Sequence, residues 1–360
     1  MHHNLNCMPQ ILVFLKMQSI LAAHNATTLA FRLGQLDTVA RCLLGAPTLY
    51  TPDMRAALAL RWLTRIWALY REDRAILTGE ALIGAECSAA RNAFLDLLGS
   101  IHPPDILIAD AIGLVRRIAI RPLAHERRET TEIVAASEPV LTAVLEALTS
   151  GRLPRDPVRR LEVLITQFRY SNAPNAAPLA ATAQTPCWAI NLAAAARSPA
   201  FYLTRTPLPV PGIVRRKMFR ADRDRDARRR DITVSIDAAL HDTTCDIAMI
   251  QRAALAFKRD FTRQRSHSRL ATAWFLLFAL DALSPAQLAR ALPASKAGAA
   301  KLLRQLVAAQ MAHHHGTHEP YVCAIRFAVA FPAWESDAFA AQAMENTPFD
   351  PAHSTAEIEE

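Results

Sequence analysis

The chain has 360 residues, enough for two or three domains, and 51% of them are hydrophobic, which excludes a chain that is disordered throughout. Its formal net charge is +8, and a basic balance is typical of proteins that bind polyanions such as nucleic acid or an anionic membrane surface. Alanine and leucine are abundant and only 10 residues are glycine, so the composition favours helices over sheets.

Helical periodicity dominates the first half of the chain. Apolar residues recur at helical spacing over residues 18–46, and Thr51 followed by Pro52 predicts the start of a helix that runs through Tyr70. No apolar run is long enough to span a membrane, and Lys16 interrupts the most apolar N-terminal stretch, which we interpret as a first core helix. The Ile-rich residues 105–120 fit either a helix or a strand. Further helices are predicted over residues 79–99, 129–149 and 157–170.

The composition changes after this helical region. Residues 171–186 are rich in Pro, Asn and Ala and carry no charge, which is typical of a linker. Helical spacing resumes over residues 232–263 and 268–282. The last 30 residues contain seven acidic residues and no Lys or Arg. We therefore expect a helical N-terminal domain (1–170), a linker-rich segment (171–214), a basic segment with a long helix (215–267), a C-terminal module (268–330) and an acidic tail (331–360).

Residues 284–325 have the order helix, turn, helix and hairpin. Ser284 and Pro285 form a helix start, and Pro293 ends that helix because proline lacks the N–H group that another turn would need. Ser295 is placed to cap the second helix. The two strands of the hairpin are predicted over residues 312–315 and 321–325.

The second helix of this module is predicted to be amphipathic. Its inward face would hold Ala299, Leu302, Leu303, Leu306 and Val307. Its outward face would hold Lys296, Gly298, Lys301, Arg304 and Gln305.

This arrangement resembles the winged helix-turn-helix of many bacterial regulators, and with the preceding helix the resemblance covers about residues 268–326. The segment RSHSRLATAWF (residues 265–275), which precedes the helix-turn-helix, is also similar to helix-turn-helix proteins of unknown function from rhizobia. Together with the helical composition and periodicity of the rest of the chain, this resemblance leads us to expect an all-α protein with a multi-helix N-terminal region and a C-terminal winged helix-turn-helix that has a short β-hairpin wing. The resemblance implies that the second helix of the module enters the major groove of DNA. The sequence differs from the common pattern at Pro293 and Gln310, where glycine is usual, and in the wing, where histidines replace arginine.

The resemblance also indicates which residues of the second helix would contact DNA. Short or polar side chains permit close approach to the groove, whereas Lys and Arg contact phosphate or guanine. The predicted DNA-binding residues of this helix are Ser295, Lys296, Gly298, Lys301, Arg304 and Gln305.

A second basic region precedes the module. The run 215–230 contains nine Lys or Arg and three Asp, and it fits either a phosphate-binding arm or a solvated charged loop. The predicted contacts to the DNA backbone are Arg228, Arg229 and Arg230, joined by Arg263 and Arg265 just before the module.

Familiar catalytic and nucleotide-binding motifs are missing. Neither GxxxxGK[ST], GxGxxG, GxSxG nor HExxH occurs, and we expect no catalytic residue, no cofactor and no metal. His313 and His315 would share one face of a strand and, with Cys323, suggest a metal site, but no second half-site with ligand spacing accompanies them. The six cysteines are widely spaced without CxxC, which indicates reduced thiols in a cytoplasmic protein.

These features predict a DNA-binding protein rather than an enzyme. We expect a bacterial transcriptional regulator, or a maintenance factor of a plasmid or mobile element, that binds double-stranded DNA as a homodimer or in a larger complex, away from membranes. The alternative is a non-catalytic helical subunit of a nucleoprotein or defence complex in which the winged helix contacts protein or RNA. An enzyme with a diffuse site would instead require a deep polar pocket among the N-terminal helices.

Overall fold

The protein is mostly helical. The computed structural model describes residues 29–45, 50–74, 76, 81–84, 87–101, 106–168, 186–220, 222–261, 269–314, 316 and 319–324. Within these ranges 73% of residues are helical and the strands form one three-stranded sheet, which confirms the helical class predicted from the composition. None of the helices in these ranges is both long and apolar enough to cross a membrane.

Six helices form the N-terminal part of the described chain. Thr51 caps the second of them as predicted, because its hydroxyl accepts a hydrogen bond from the backbone N–H of Met54 at 3.3 Å. In the stretch 105–120, whose sequence fits either a helix or a strand, residues Ile106–Ile118 form a helix. The helices are α1 (Leu29–Gly45), α2 (Pro52–Asp73), α3 (Ala89–Gly99), α4 (Ile106–Ile118), α5 (Ala124–Thr149) and α6 (Pro157–Gln167).

Two of these helices begin elsewhere than predicted. The helix expected from residue 79 begins only at Ala89, where the hydroxyl of Ser88 accepts a hydrogen bond from the N–H of Arg91 at 3.2 Å. The helix expected from residue 129 already begins at Ala124. Glu126 accepts a hydrogen bond from the N–H of Leu123 at 2.5 Å and so satisfies a donor at that earlier start.

The segment predicted as linker-rich contains a buried helix. Residues 171–185, nearly all of its uncharged stretch, lie outside the described residues, but α7 (Cys187–Ala196) follows and all ten of its residues are buried. The next long helix, α8 (Arg225–Asp260), begins seven residues earlier than predicted, within the basic run. Asp224 caps α8, because its carboxylate accepts a hydrogen bond from the N–H of Ala227 at 2.7 Å.

Helix α2 lies at the centre of the core. Its side chains Trp62 and Trp67 are almost completely buried, and it packs against α4, α7, α8 and the helix that follows α8. The boundaries between the five predicted parts stay a prediction. Helices from four of these parts pack together in this core, since α2 contacts α7, α8 and the helix that follows α8. Residues 1–28 and the acidic tail 331–360 lie outside the described residues.

The C-terminal unit, the described residues between 269 and 324, combines three helices with three short strands. The sheet is antiparallel in the order β1–β3–β2, with Ala282 opposite Val322 and Ala312 opposite Cys323. The pairing of β2 with β3 matches the predicted hairpin, whereas β1 was not predicted. The elements are α9 (Leu270–Leu280), β1 (Ala282–Leu283), α10 (Pro285–Ala291), α11 (Lys296–Ala308), β2 (Ala312–His313) and β3 (Tyr321–Cys323).

Candidate nucleic-acid interface

The turn before α11 is fixed by capping and by a side-chain contact. Ser284 and Gln287 form a reciprocal capping box at the start of α10. Ser295 caps α11, because its hydroxyl accepts a hydrogen bond from the N–H of Gly298 at 3.1 Å. Between the two helices, the guanidinium of Arg269 donates a hydrogen bond to the carbonyl of Pro293. The start of α11 is therefore held in place from both sides.

The inner face of α11 seats the helix on the C-terminal unit. Ala299, Leu303 and Leu306 are fully buried, as predicted, whereas Leu302 and Val307 are partly exposed. The helix packs against α9, α10 and β2. After the helix, Gln310 adopts a left-handed conformation with φ of 59°, a backbone conformation that favours glycine.

The outer face of α11 is basic and exposed. Lys296, Lys301, Arg304 and Gln305 are all exposed, and Lys301, Arg304 and Gln305 share one side of the helix by their spacing. In the part of the chain that the structure describes, Lys296, Lys301 and Arg304 form no ion pair with a carboxylate. Their charges are therefore available to a partner, although which partner they bind stays a prediction.

Gly298 lies where α11 begins. A side chain at this position would bring its Cβ to 3.3 Å from the Ser295 hydroxyl, a tight contact with the group that caps the helix. Glycine thus keeps the cap undisturbed and also leaves the start of the helix without a protruding side chain.

The hairpin next to α11 carries exposed histidines. His313 and His314 are exposed, and the ring of His314 stacks on Tyr321 with centroids 4.1 Å apart. His315 and His318, the other histidines of the predicted wing, lie outside the described residues. Among the residues that the structure describes, no three His, Cys, Asp or Glu side chains are grouped closely enough to hold a metal ion.

Among the three arginines of the basic run that were predicted to contact the DNA backbone, one is buried. Arg228 is only 3% exposed, and its guanidinium donates hydrogen bonds to the carbonyls of Met218 at 3.0 Å and Arg223 at 2.7 Å. This burial corrects the expectation of a phosphate contact, because the side chain faces backbone carbonyls rather than solvent. Arg229 is half-buried and Arg230 is exposed.

Two further predicted contacts cannot be placed. Arg263 and Arg265 fall within residues 262–268, outside the described residues. Their predicted contact with DNA stays a prediction.

Arg290 attaches the C-terminal unit to the helical body, a role that the sequence analysis did not assign. Its Nε donates a hydrogen bond to the carbonyl of Ile118 at 2.6 Å, and α10 packs along α4. Arginine at the end of a short amphipathic helix is too common for its sequence position to reveal such a contact.

One thiol and one imidazole lie close together on α8. Cys245 Sγ and His241 Nε2 are 3.4 Å apart on successive turns of α8. Among the described residues, Cys87, Cys187, Cys245 and Cys323 form no disulfide, and Cys187 and Cys323 are buried. We assign no reaction to this pair.

Comparisons with known proteins do not assign a family. No protein-family model, no curated protein and no solved structure matches this chain.

Proposed function

We propose that the C-terminal unit is a winged helix-turn-helix and that the protein binds duplex DNA through the outer face of α11. The order helix, strand, helix, helix, strand, strand supports this proposal, together with the sheet order β1–β3–β2. Both agree with the resemblance of residues 268–326. A bacterial transcriptional regulator, or a maintenance factor of a plasmid or mobile element, is the role that we propose for such a binder.

The observation that carries the proposal is the unpaired basic face of α11. Lys296, Lys301 and Arg304 are exposed and form no ion pair among the described residues, so binding a phosphate requires no internal salt bridge to break. A solvated basic surface attracts DNA mainly through the release of counterions from the phosphates.

In this mechanism α11 lies in the major groove. Lys296 and Lys301 contact phosphates or guanine, and Gln305 is suited to the bidentate hydrogen bonds that adenine accepts and donates. The capped N-terminus at Ser295 directs backbone N–H groups towards the DNA backbone. A homodimer would present two copies of α11 to successive major grooves.

The experiment is a titration of a mixed-sequence DNA duplex with the full chain at two salt concentrations. The test variant is Lys296→Ala/Lys301→Ala/Arg304→Ala. The matched control is Arg127→Ala/Arg128→Ala/Arg152→Ala, which removes the same charge from exposed residues in and after α5, a helix that packs on α3, α6 and α7 instead of the C-terminal unit.

We expect the wild type and the control to bind DNA more weakly as salt increases, and the test variant to lose most of this affinity. Equal losses in both variants would mean that net charge alone attracts DNA. Undiminished binding by the test variant would exclude α11 as the interface. An absence of DNA binding by the wild type would direct attention to RNA and protein partners.

A further inference from the structure

An open cleft lies between α6 and the start of α8, away from α11. Its volume is about 1010 Å³, and it extends from Pro154 and Arg159 on one side to Arg225 and Arg229 on the other. A space of this size is sufficient for a nucleotide-sized ligand, since small-molecule sites usually occupy hundreds of cubic ångströms.

Two arginines of the cleft are held by one buried carboxylate. Arg225 Nε donates to one oxygen of Glu162 at 2.6 Å, and Arg229 Nε donates to the other oxygen at 2.9 Å. The Glu162 side chain is 9% exposed, whereas that of Arg225 is 72% exposed and that of Arg229 is 36% exposed. Burial tends to raise the pKa of Glu162, but the hydrogen bonds and charges of the two arginines hold it below its usual range. The carboxylate is therefore ionised and fixes the direction of both guanidinium groups.

The terminal amino groups of these two arginines form no hydrogen bond among the described residues. Arg225 and Arg229 each reach Glu162 through Nε alone, and their terminal nitrogens donate to no other described residue. A third guanidinium, that of Arg159, also lines the cleft and forms no ion pair with any described carboxylate. Guanidinium forks match the geometry of phosphate oxygens and bind them through paired hydrogen bonds.

The other walls of the cleft favour a compact ligand over a continuous polyanion. Pro154 and the exposed Val163 are apolar, so they suit the uncharged body of a small molecule. Asp222 and Asp224 also line the cleft, so only the part next to Arg159, Arg225 and Arg229 attracts an anion, and this part suits a single phosphate or diphosphate group better than a phosphate backbone that crosses the whole cleft.

The cleft also lies far along α8 from the point where the C-terminal unit contacts that helix. It lies at the N-terminal end of α8, whereas α9 contacts α8 where Trp274 Nε1 donates to the carbonyl of Ala253 at 3.1 Å. At 1.5 Å per residue these two points on α8 are about 40 Å apart.

We propose that this cleft binds a small molecule that carries a phosphate or diphosphate group, with Arg159, Arg225 and Arg229 as its anion ligands. Glu162 is the positioning residue, since it orients two of the three guanidinium groups. This site does not depend on the DNA-binding proposal, and each can fail without the other.

Isothermal titration calorimetry of the full chain with inorganic pyrophosphate, ATP and adenosine tests the proposal. We expect saturable binding of pyrophosphate or ATP at one ligand per chain, and none of adenosine alone. The variant Arg159→Ala/Arg225→Ala should weaken that binding by about tenfold or more, because two charge-assisted hydrogen-bonding groups are lost. The control Arg127→Ala/Arg128→Ala removes the same charge elsewhere and should bind as the wild type does.

A second variant addresses the risk that the arginine substitutions disturb folding. Thr166→Glu places a carboxylate on an exposed helical position of the cleft and leaves every arginine in place. It should also weaken phosphate binding, and it should melt at the same temperature as the wild type.

The proposal is overturned if neither phosphate compound binds saturably, or if both cleft variants bind them as the wild type does. It is also overturned if the cleft variants lose DNA affinity instead, which would make the cleft a contact for the DNA backbone. The α11 variant Lys296→Ala/Lys301→Ala/Arg304→Ala should bind pyrophosphate or ATP normally, which keeps the two proposals distinguishable.

Discussion

Arg290 in α10 donates a hydrogen bond from Nε to the carbonyl of Ile118, the last residue of α4, at 2.6 Å. The last carbonyls of a helix have no partner within it, and a cationic side chain stabilises that negative end of the helix dipole. The same hydrogen bond joins the C-terminal unit to the helical body, so the orientation of α11 is tied to the core.

Replacement of Arg290 should destabilise the protein. For Arg290→Ala we expect a loss of about 1 kcal/mol in the free energy of unfolding, because a partly exposed hydrogen bond from a charged group is worth less than a buried one. Urea unfolding of the two proteins measures the difference. Arg304→Ala, on the neighbouring helix and without an ion pair among the described residues, is the matched control and should stay within about 0.5 kcal/mol of the wild type.

Two substitutions of Ser295, the residue that caps α11, should affect stability and DNA binding differently. Ser295→Ala removes the hydrogen bond to Gly298 and should cost about 1 kcal/mol of stability. Ser295→Asp keeps a capping oxygen and so keeps the stability, but it adds a negative charge next to Lys296 and should reduce DNA affinity. Thermal melting and DNA titration of both variants provide the readout. A Ser295→Asp protein that binds DNA as tightly as the wild type would argue against contact at the start of α11.

The burial of Arg228 distinguishes it from Arg230 although both belong to one charged run. Arg228→Ala should lower the free energy of unfolding by roughly 3 kcal/mol, because buried carbonyls lose their donors. Arg230→Ala should change it by less than about 0.5 kcal/mol, since the side chain is exposed. Denaturant unfolding of the two variants side by side tests this, and equal stabilities would contradict the assignment of Arg228 as a structural residue.

Asp73 should make the stability depend on pH. Burial raises the pKa of its carboxyl from 3.8 to about 6, and the hydrogen bonds from Asn191 and Cys187 offset this only in part. Asn191 donates a hydrogen bond to Asp73 Oδ2 at 3.1 Å, and it also forms hydrogen bonds with the backbone N–H and carbonyl of Val214. The carboxyl therefore belongs to a buried hydrogen-bond network.

The direction follows from proton binding. The folded state holds this proton to higher pH than the unfolded state does, so the contribution to stability is complete below pH 3.8 and is lost as the pH rises towards about 6. The loss amounts to at most about 3 kcal/mol at 1.36 kcal/mol for each pKa unit. Asp73→Asn should remove this pH dependence. The difference in unfolding free energy between wild type and variant should therefore change between pH 3.8 and about pH 6. A constant difference would show that Asp73 titrates normally.

The sequence predicts helix starts where a capping residue and proline occur together. Thr51 with Pro52, and Ser284 with Pro285, give both the cap and the first helical position, so α2 and α10 begin where expected. The buried helix α7 was missed because nearly all of its residues are apolar, and such a run has no helical period to detect.

Charge in the sequence does not reveal burial. Arg228 looks like its neighbours in the run, but the 3₁₀ turn at Arg216–Phe219 brings the carbonyl of Met218 to its guanidinium. The exposure of Lys301 and Arg304 on α11 was predictable, since amphipathic spacing assigns faces within a single helix. The contact between Arg225 and Glu162 joins residues that are distant in the chain, and only the tertiary structure brings them together.

The most direct test of the account is the slope of log K against log salt concentration for DNA binding by the wild type and by Lys296→Ala/Lys301→Ala/Arg304→Ala. Each phosphate contact contributes about 0.9 to the magnitude of this slope. If α11 lies on the DNA, the variant loses about two to three phosphate contacts, and the magnitude of its slope should decrease by about 0.9 for each of them. A variant with the slope and affinity of the wild type would contradict the assignment of α11 as the DNA-binding face.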